Sequence, residues 1–118
     1  MKKNKFELLA PAGDFPMLVS AVNAGADAIY FGLQEFNMRD AAKNFKISDL
    51  DKIKKICKPK RVKRYLTLNT IIYNNELPKI EQIIKQVKNK VDAIICWDLA
   101  IIQLCKKYKI PFHISTQA

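Results

Sequence analysis

An α/β fold built on a parallel sheet is what this 118-residue sequence predicts, and three observations carry it. Strand-like and helix-like runs alternate strictly, five of the first with four of the second, which requires parallel strands joined by right-handed crossovers. On each strand one parity is bulky and apolar while the other gathers polar side chains. No stretch has the composition of a disordered segment: 49% of residues are apolar and 27% charged, ordinary usage for a folded domain.

The first strand is "FELLA", Phe6 to Ala10. Pro11, Ala12 and Gly13 then turn the chain into a helix with Asp14 as N-cap and Met17, Leu18, Ala21 and Val22 on one face. Gly25 stops that helix, and "DAIYFG" is the second strand. Ser48, with Asp51 three residues later, opens the second helix, whose stripe is Leu50, Ile53, Ile56 and Cys57 and which Pro59 ends. "VKRYLTLN" is the third strand, and a turn at Tyr73, Asn74 and Asn75 leads to a helix with Leu77, Ile80, Ile83, Ile84 and Val87 in register. "DAIICWD" is the fourth strand, Leu99 to Tyr108 the fourth helix, and "FHIST" the fifth strand. "DAIYFG" from Asp27 and "DAIICW" from Asp92 repeat Asp-Ala-Ile, as two copies of one helix-to-strand joint would.

Side-chain parity sharpens the fold class. Ile29 and Phe31, Leu66 and Leu68, Ile95 and Trp97, and Phe112 and Ile114 are expected to face the helices. The other parity collects Glu7, Tyr30, Tyr65, Thr67, Asn69, Cys96, Asp98, His113, Ser115 and Gln117. A polar set pointing away from the helices on every strand implies a shared interior or mouth, which favours a partial TIM-like (β/α) barrel over a doubly wound sheet. A full barrel takes roughly 250 residues, so residues 1–118 read as a single incomplete barrel domain of about five parallel strands and four helices.

Net charge is +10, yet 18 of the 21 basic residues are Lys and only Arg39, Arg61 and Arg64 carry the planar fork suited to bidentate phosphate contacts. A lysine-rich solvated surface competes with a nucleic-acid-binding one. Eight basic residues fall between Lys52 and Arg64, at the end of the domain opposite the strand C-termini. Cys57, Cys96 and Cys105 form no close pair and read as small buried hydrophobes, so no metal site is expected within the chain. No membrane span or signal peptide is visible, and a cytoplasmic protein is the default expectation.

The long polar stretch from Leu33 to Ile47 follows the second strand, on the catalytic face of a barrel. Asn37, Arg39 and Asn44 suit a polar or anionic ligand, and Phe36, Met38 and Phe45 suit anchoring; an Arg39 pair with Asp40 or Glu35 would instead make it a plain lid. "ELLAPAG", "AGADAIYFG", "EFNMRDAAKNF", "YLTLNT", "VDAII" with "WD", and "STQA", in this order, resemble the N-terminal part of peptidase family U-32, the collagenase-like peptidases.

That resemblance implies a barrel at the N-terminal end and either of two activities: peptide hydrolysis, or oxygen-independent hydroxylation of RNA or of the ubiquinone ring. Among the RNA modifications are hydroxylation of a transfer-RNA uridine, with prephenate as co-substrate, and of a ribosomal-RNA cytidine. It also implies an iron–sulfur cluster in the complete hydroxylases, held by cysteines downstream of "STQA" and hence by no residue of this chain. The matched blocks contain Asn37, Arg39, Asn69, Asp98, Ser115 and Gln117, which with Tyr30 are the expected substrate-binding residues. Asn69 and Gln117 equally suit a barrel hydrogen-bond network, and Asp98 a helix N-cap. No catalytic residue is identifiable: His113 and Ser115 share a strand face but stand about 6–7 Å apart.

Three functions follow: an enzyme fragment acting on RNA or peptide in its complete form, a non-catalytic RNA-binding or accessory module, and an inactive truncated reading frame. The open sheet edges predict association with a second chain or with another copy.

Overall fold

Five short strands and four helices alternate along the chain: β1 (Leu9–Pro11), α1 (Phe15–Asn23), β2 (Ala28–Phe31), α2 (Leu50–Cys57), β3 (Lys63–Leu68), α3 (Leu77–Val87), β4 (Ala93–Cys96), α4 (Leu99–Lys107) and β5 (Phe112–Ile114). The computed structural model describes residues 7–34, 45–68 and 77–114. All five strands are parallel, in the order β1-β2-β3-β4-β5. A doubly wound sheet would reverse its order beside the first strand. None of the described helices is long and apolar enough to cross a membrane.

Burial is one-sided. Ile29 and Phe31 of β2, Leu66 and Leu68 of β3, and Ile94 and Cys96 of β4 pack in one cluster with the apolar stripes of all four helices. The opposite face carries a small cluster of Ala28, Tyr65 and Ala93, flanked by Tyr30 and Ile95. The α/β class with a parallel sheet is as expected, its strands in sequential order and its helices on one side.

On β4 the expected parity is reversed. Ile94 and Cys96, not Ile95, face the helices, so Cys96 leaves the inner polar set and Ile95 joins Tyr30 and Tyr65 there. The run "AIIC" is apolar in both parities and alternation cannot orient it. Register does: Tyr65 pairs with Ala93, and Leu66 with Ile94. Trp97 lies just past the strand and is 39% exposed.

The Asp-Ala-Ile repeat marks a repeated clamp. Asp27 Oδ2 accepts the Leu8 backbone N–H at 2.8 Å while the Asp27 N–H donates to the Leu8 carbonyl at 2.9 Å. Asp92 Oδ2 likewise accepts the Arg64 N–H at 2.8 Å, and the Asp92 N–H donates to the Arg64 carbonyl at 2.8 Å. Each aspartate ties the start of its strand to the preceding neighbour. The first clamp engages both backbone groups of Leu8, immediately before β1 begins at Leu9. Pro11 closes β1, tolerated because this strand is at the sheet edge.

Asp14 caps α1 as expected, its Oδ1 accepting the Met17 N–H at 2.9 Å. Ser48 does not cap α2. A 3-10 turn, Ile47–Asp49, precedes that helix, and the Asp49 carboxylate accepts the Lys46 N–H at 2.9 Å, a stronger acceptor than a hydroxyl.

Three helix ends share one stop. After α1 the Gly25 N–H reaches the Val22 carbonyl and Ala26 that of Ala21; after α2 and its 3-10 extension, Arg61 reaches Lys58 and Val62 reaches Cys57; after α4, Lys109 reaches Lys106 and Ile110 reaches Cys105. This is the Schellman pattern, closed by a left-handed residue and followed by a buried apolar one. Gly25 suits the left-handed position; Arg61 and Lys109, both at φ 58°, do not. A side chain there costs roughly 1–2 kcal/mol. Arg61→Gly and Lys109→Gly should each therefore stabilise the fold by about 1 kcal/mol, read as a raised urea midpoint with unchanged slope.

Candidate functional site

The strand C-termini meet at one end of the sheet, and there Pro11 to Asp14, Met17, Tyr30 to Gly32 and Thr67 line an open cleft of about 450 Å³. That volume is in the range of small-ligand sites. Its floor comes from β2 and β3: Tyr30 is half-buried, and the Thr67 hydroxyl is held by the Phe31 carbonyl at 3.1 Å. The start of α1 forms one wall.

The long polar segment is anchored at this end. Leu33 and Phe45 form an isolated parallel bridge, with the Gln34 N–H donating to the Phe45 carbonyl at 2.8 Å. The Phe45 ring meets Phe15 and Phe31 edge-on, with centroids 4.9 and 5.6 Å apart. Edge-on aromatic pairs add about 0.5–1.5 kcal/mol each beyond burial. Phe45 thus anchors the segment as its sequence suggested.

Of the seven expected substrate-binding residues, Tyr30 and Asp98 are described; Asn37, Arg39, Asn69, Ser115 and Gln117 lie outside the described residues. Tyr30 lines the cleft. Asp98 is the N-cap of α4, its Oδ1 accepting the Ala100 N–H at 2.8 Å. Phe36, Met38, Asn44 and the turn at Tyr73 to Asn75 also fall outside the described residues.

A cluster not singled out from sequence occupies the inner face. The Tyr65 hydroxyl hydrogen-bonds the Glu7 carboxylate at 3.1 and 3.3 Å, and the Tyr65 ring lies 5.2 Å from that of His113. Glu7 precedes β1, Tyr65 is on β3 and His113 on β5. Neighbouring strands are about 4.8 Å apart, so the central tyrosine meets residues from both outer strands through the length of the side chains that converge on it. Alternate strands supplying one layer is how barrel interiors are filled. Burial, then the Glu7 hydrogen bond, pushes the Tyr65 hydroxyl up to about 12.

The cysteines are placed for packing. Burial pushes Cys57 up to about 11. Cys105 is raised by its hydrogen bond to Cys96 and by burial, while the same bond lowers Cys96. All three are inaccessible in the helix-side core. Among the described residues no group of His, Cys, Asp and Glu could hold a metal ion, so these residues do not fit an iron–sulfur cluster.

The model of Peptidase family U32 matches residues 13–118. The chain belongs to this family. U32 relatives differ in their assigned work. The chain is 41% identical over 119 residues to "Collagenase" of Porphyromonas gingivalis, covering 99% of this chain and 29% of that protein. It is 36% identical over 116 residues to "tRNA hydroxylation protein P1" of Bacillus subtilis, covering 96% and 28%. It is 33% identical over 118 residues to "23S rRNA 5-hydroxycytidine C2501 synthase" of Escherichia coli, covering 99% and 18%. The chain therefore spans less than a third of the length of these curated relatives. No solved structure matches it.

Tyr65 gives this face a measurable signature. Its proton is bound more tightly in the folded state than at the usual value of 10, so its contribution is present below pH 10 and lost as pH rises toward 12. Tyr65→Phe should cost about 1–2 kcal/mol at neutral pH and flatten the alkaline loss of stability, measured by urea titration alongside tyrosinate absorbance.

Proposed function

We propose that this chain is the N-terminal part of a cytoplasmic U32 enzyme that hydroxylates a base in transfer or ribosomal RNA. The observation that carries the reading is the set of rings on the sheet face away from the helices. Tyr30, Tyr65 and His113 share the inner face, with Tyr30 opening into the cleft at the strand ends. Proteins that act on a base stack it on such rings after taking it out of its helix, and relatives named for tRNA and rRNA hydroxylation match nearly the whole chain.

In this reading Tyr30 stacks the target base, and Asn37 and Arg39 of the segment beside the cleft, with Asn69, Ser115 and Gln117, bind its polar edge and phosphate. Asp98 Oδ1 is engaged by the Ala100 N–H at the start of α4. Redox chemistry in the complete hydroxylase would come from an iron–sulfur cluster held by residues outside this chain. Tyr30→Ala in the hydroxylating protein should lower modified-nucleoside yield at least tenfold while Tyr30→Phe keeps it, scored by mass spectrometry of digested RNA. Cleavage of a collagen peptide with no RNA hydroxylation would replace this reading with a peptidase, which the collagenase relative favours.

The chain's open edges belong to the same proposal. Among the described residues β1 pairs only with β2 and β5 only with β4, and Leu9 and Ile114 on these strands are 41% and 63% exposed. Such edges recruit further strands, from another chain or a second copy. Residues 1–118 purified alone should sediment as an associated species without turning over RNA or peptide; an active monomer would contradict this.

A further inference from the structure

We infer that the end of the domain opposite the cleft is a docking surface for the phosphate backbone of folded RNA. Parallel strands bring the C-termini of α2, α3 and α4 to this one end, and each delivers cations to it. Lys58, Lys60 and Arg61 follow α2, Lys88 follows α3, and Lys106 and Lys109 close α4. All six are exposed, and none takes part in an ion pair among the described residues. The ends of α2 and α3 are side by side: Lys54 Nζ donates to the Asn89 carbonyl at 3.4 Å and Arg64 Nε to the Lys90 carbonyl at 3.1 Å. Between them, Lys54, Lys58, Arg61, Lys63 and Arg64, the last paired with Asp92 at 3.6 Å, line with Asp92 a groove of about 470 Å³.

Neutralising helix dipoles does not account for this set. The dipole's effect fades within the last turn, whereas Lys60, Arg61, Lys63, Lys88 and Lys109 lie beyond the helix ends. Arg61 and Lys109 also hold left-handed positions on this face that glycine would occupy more easily. The nearby carboxylates are already used: Asp27 and Asp92 on backbone N–H groups, Asp51 on Lys90 at 3.4 Å, and Glu81 on Lys107 at 2.8 Å. What remains is an uncompensated positive surface spread over three helix ends, the electrostatic footprint of a polyanion.

The choice of RNA rests on the proposed function. The covering helices are eight to eleven residues long, so each spans only about 15 Å at 1.5 Å per residue. One folded RNA can lie on the basic end and still present a base at the cleft.

The test is binding of fluorescein-labelled transfer RNA to the full chain by anisotropy across a salt series. The triple variant Lys58→Gln, Arg61→Gln, Lys109→Gln should lose at least tenfold in affinity, with the log–log salt slope reduced by roughly one per substitution. The triple Lys46→Gln, Lys52→Gln, Lys79→Gln, of equal charge change at the other end, should lose far less. Equal losses from both triples, no loss from the first, or tighter binding of duplex DNA would overturn the assignment. Lysine acetylation footprinting gives a second readout that holds whatever the association state. RNA should protect Lys58, Lys60, Lys88, Lys106 and Lys109 while Lys52 and Lys79 stay reactive, and the reverse pattern would overturn it. Neither measurement needs turnover, so RNA bound by the chain with no hydroxylation by the complete protein retires the functional reading alone, and hydroxylation by the complete protein that is indifferent to the first triple retires the surface alone.

Discussion

A parallel sheet that buries only one face against its helices forces every strand to enter from the same end, and the molecule inherits its polarity from that constraint. Helix N-termini gather with the strand C-termini around the cleft, and helix C-termini gather at the opposite end. The side chains follow. Asp14, Asp49 and Asp98 each hold a backbone N–H at a helix start, while lysines and an arginine crowd the helix ends. Both arrangements suit the helix macrodipole, and together they separate acidic and basic charge along the strand axis.

The inner face depends on small residues as much as on large ones. Ala28 and Ala93, both nearly inaccessible, leave room for the Tyr30 and Tyr65 rings beside them. Glu7 and His113 then reach Tyr65 from the outer strands. Larger side chains at either alanine would meet the tyrosines and flatten the wall that they line. Fold and candidate site are therefore one packing problem.

The polar segment after β2 shows how a long connection is tolerated. Its two ends are joined backbone to backbone at Leu33 and Phe45, and Phe45 is locked between Phe15 and Phe31. The domain's core ends at that junction.

The α/β class, the four helix stripes and the Asp14 cap were legible in the residues because each depends on local spacing: a 3.6-residue period, a carboxylate three positions before the N–H it accepts, a glycine where φ turns positive. The family was legible too, since ordered blocks such as "AGADAIYFG" and "STQA" need no coordinates. The orientation of β4 was not recovered from alternation, because "AIIC" is apolar on both sides; only its pairing with β3, pinned by Asp92, puts Ile94 against the helices and Ile95 inside. The Asp-Ala-Ile repeat carried that information, since Ile29 and Ile94 hold the same place after equivalent clamps. The meeting of Glu7, Tyr65 and His113, and the gathering of three helix ends into one basic surface, join residues dozens of positions apart. Those contacts come from strand order and register, which exist only once the whole sheet has formed.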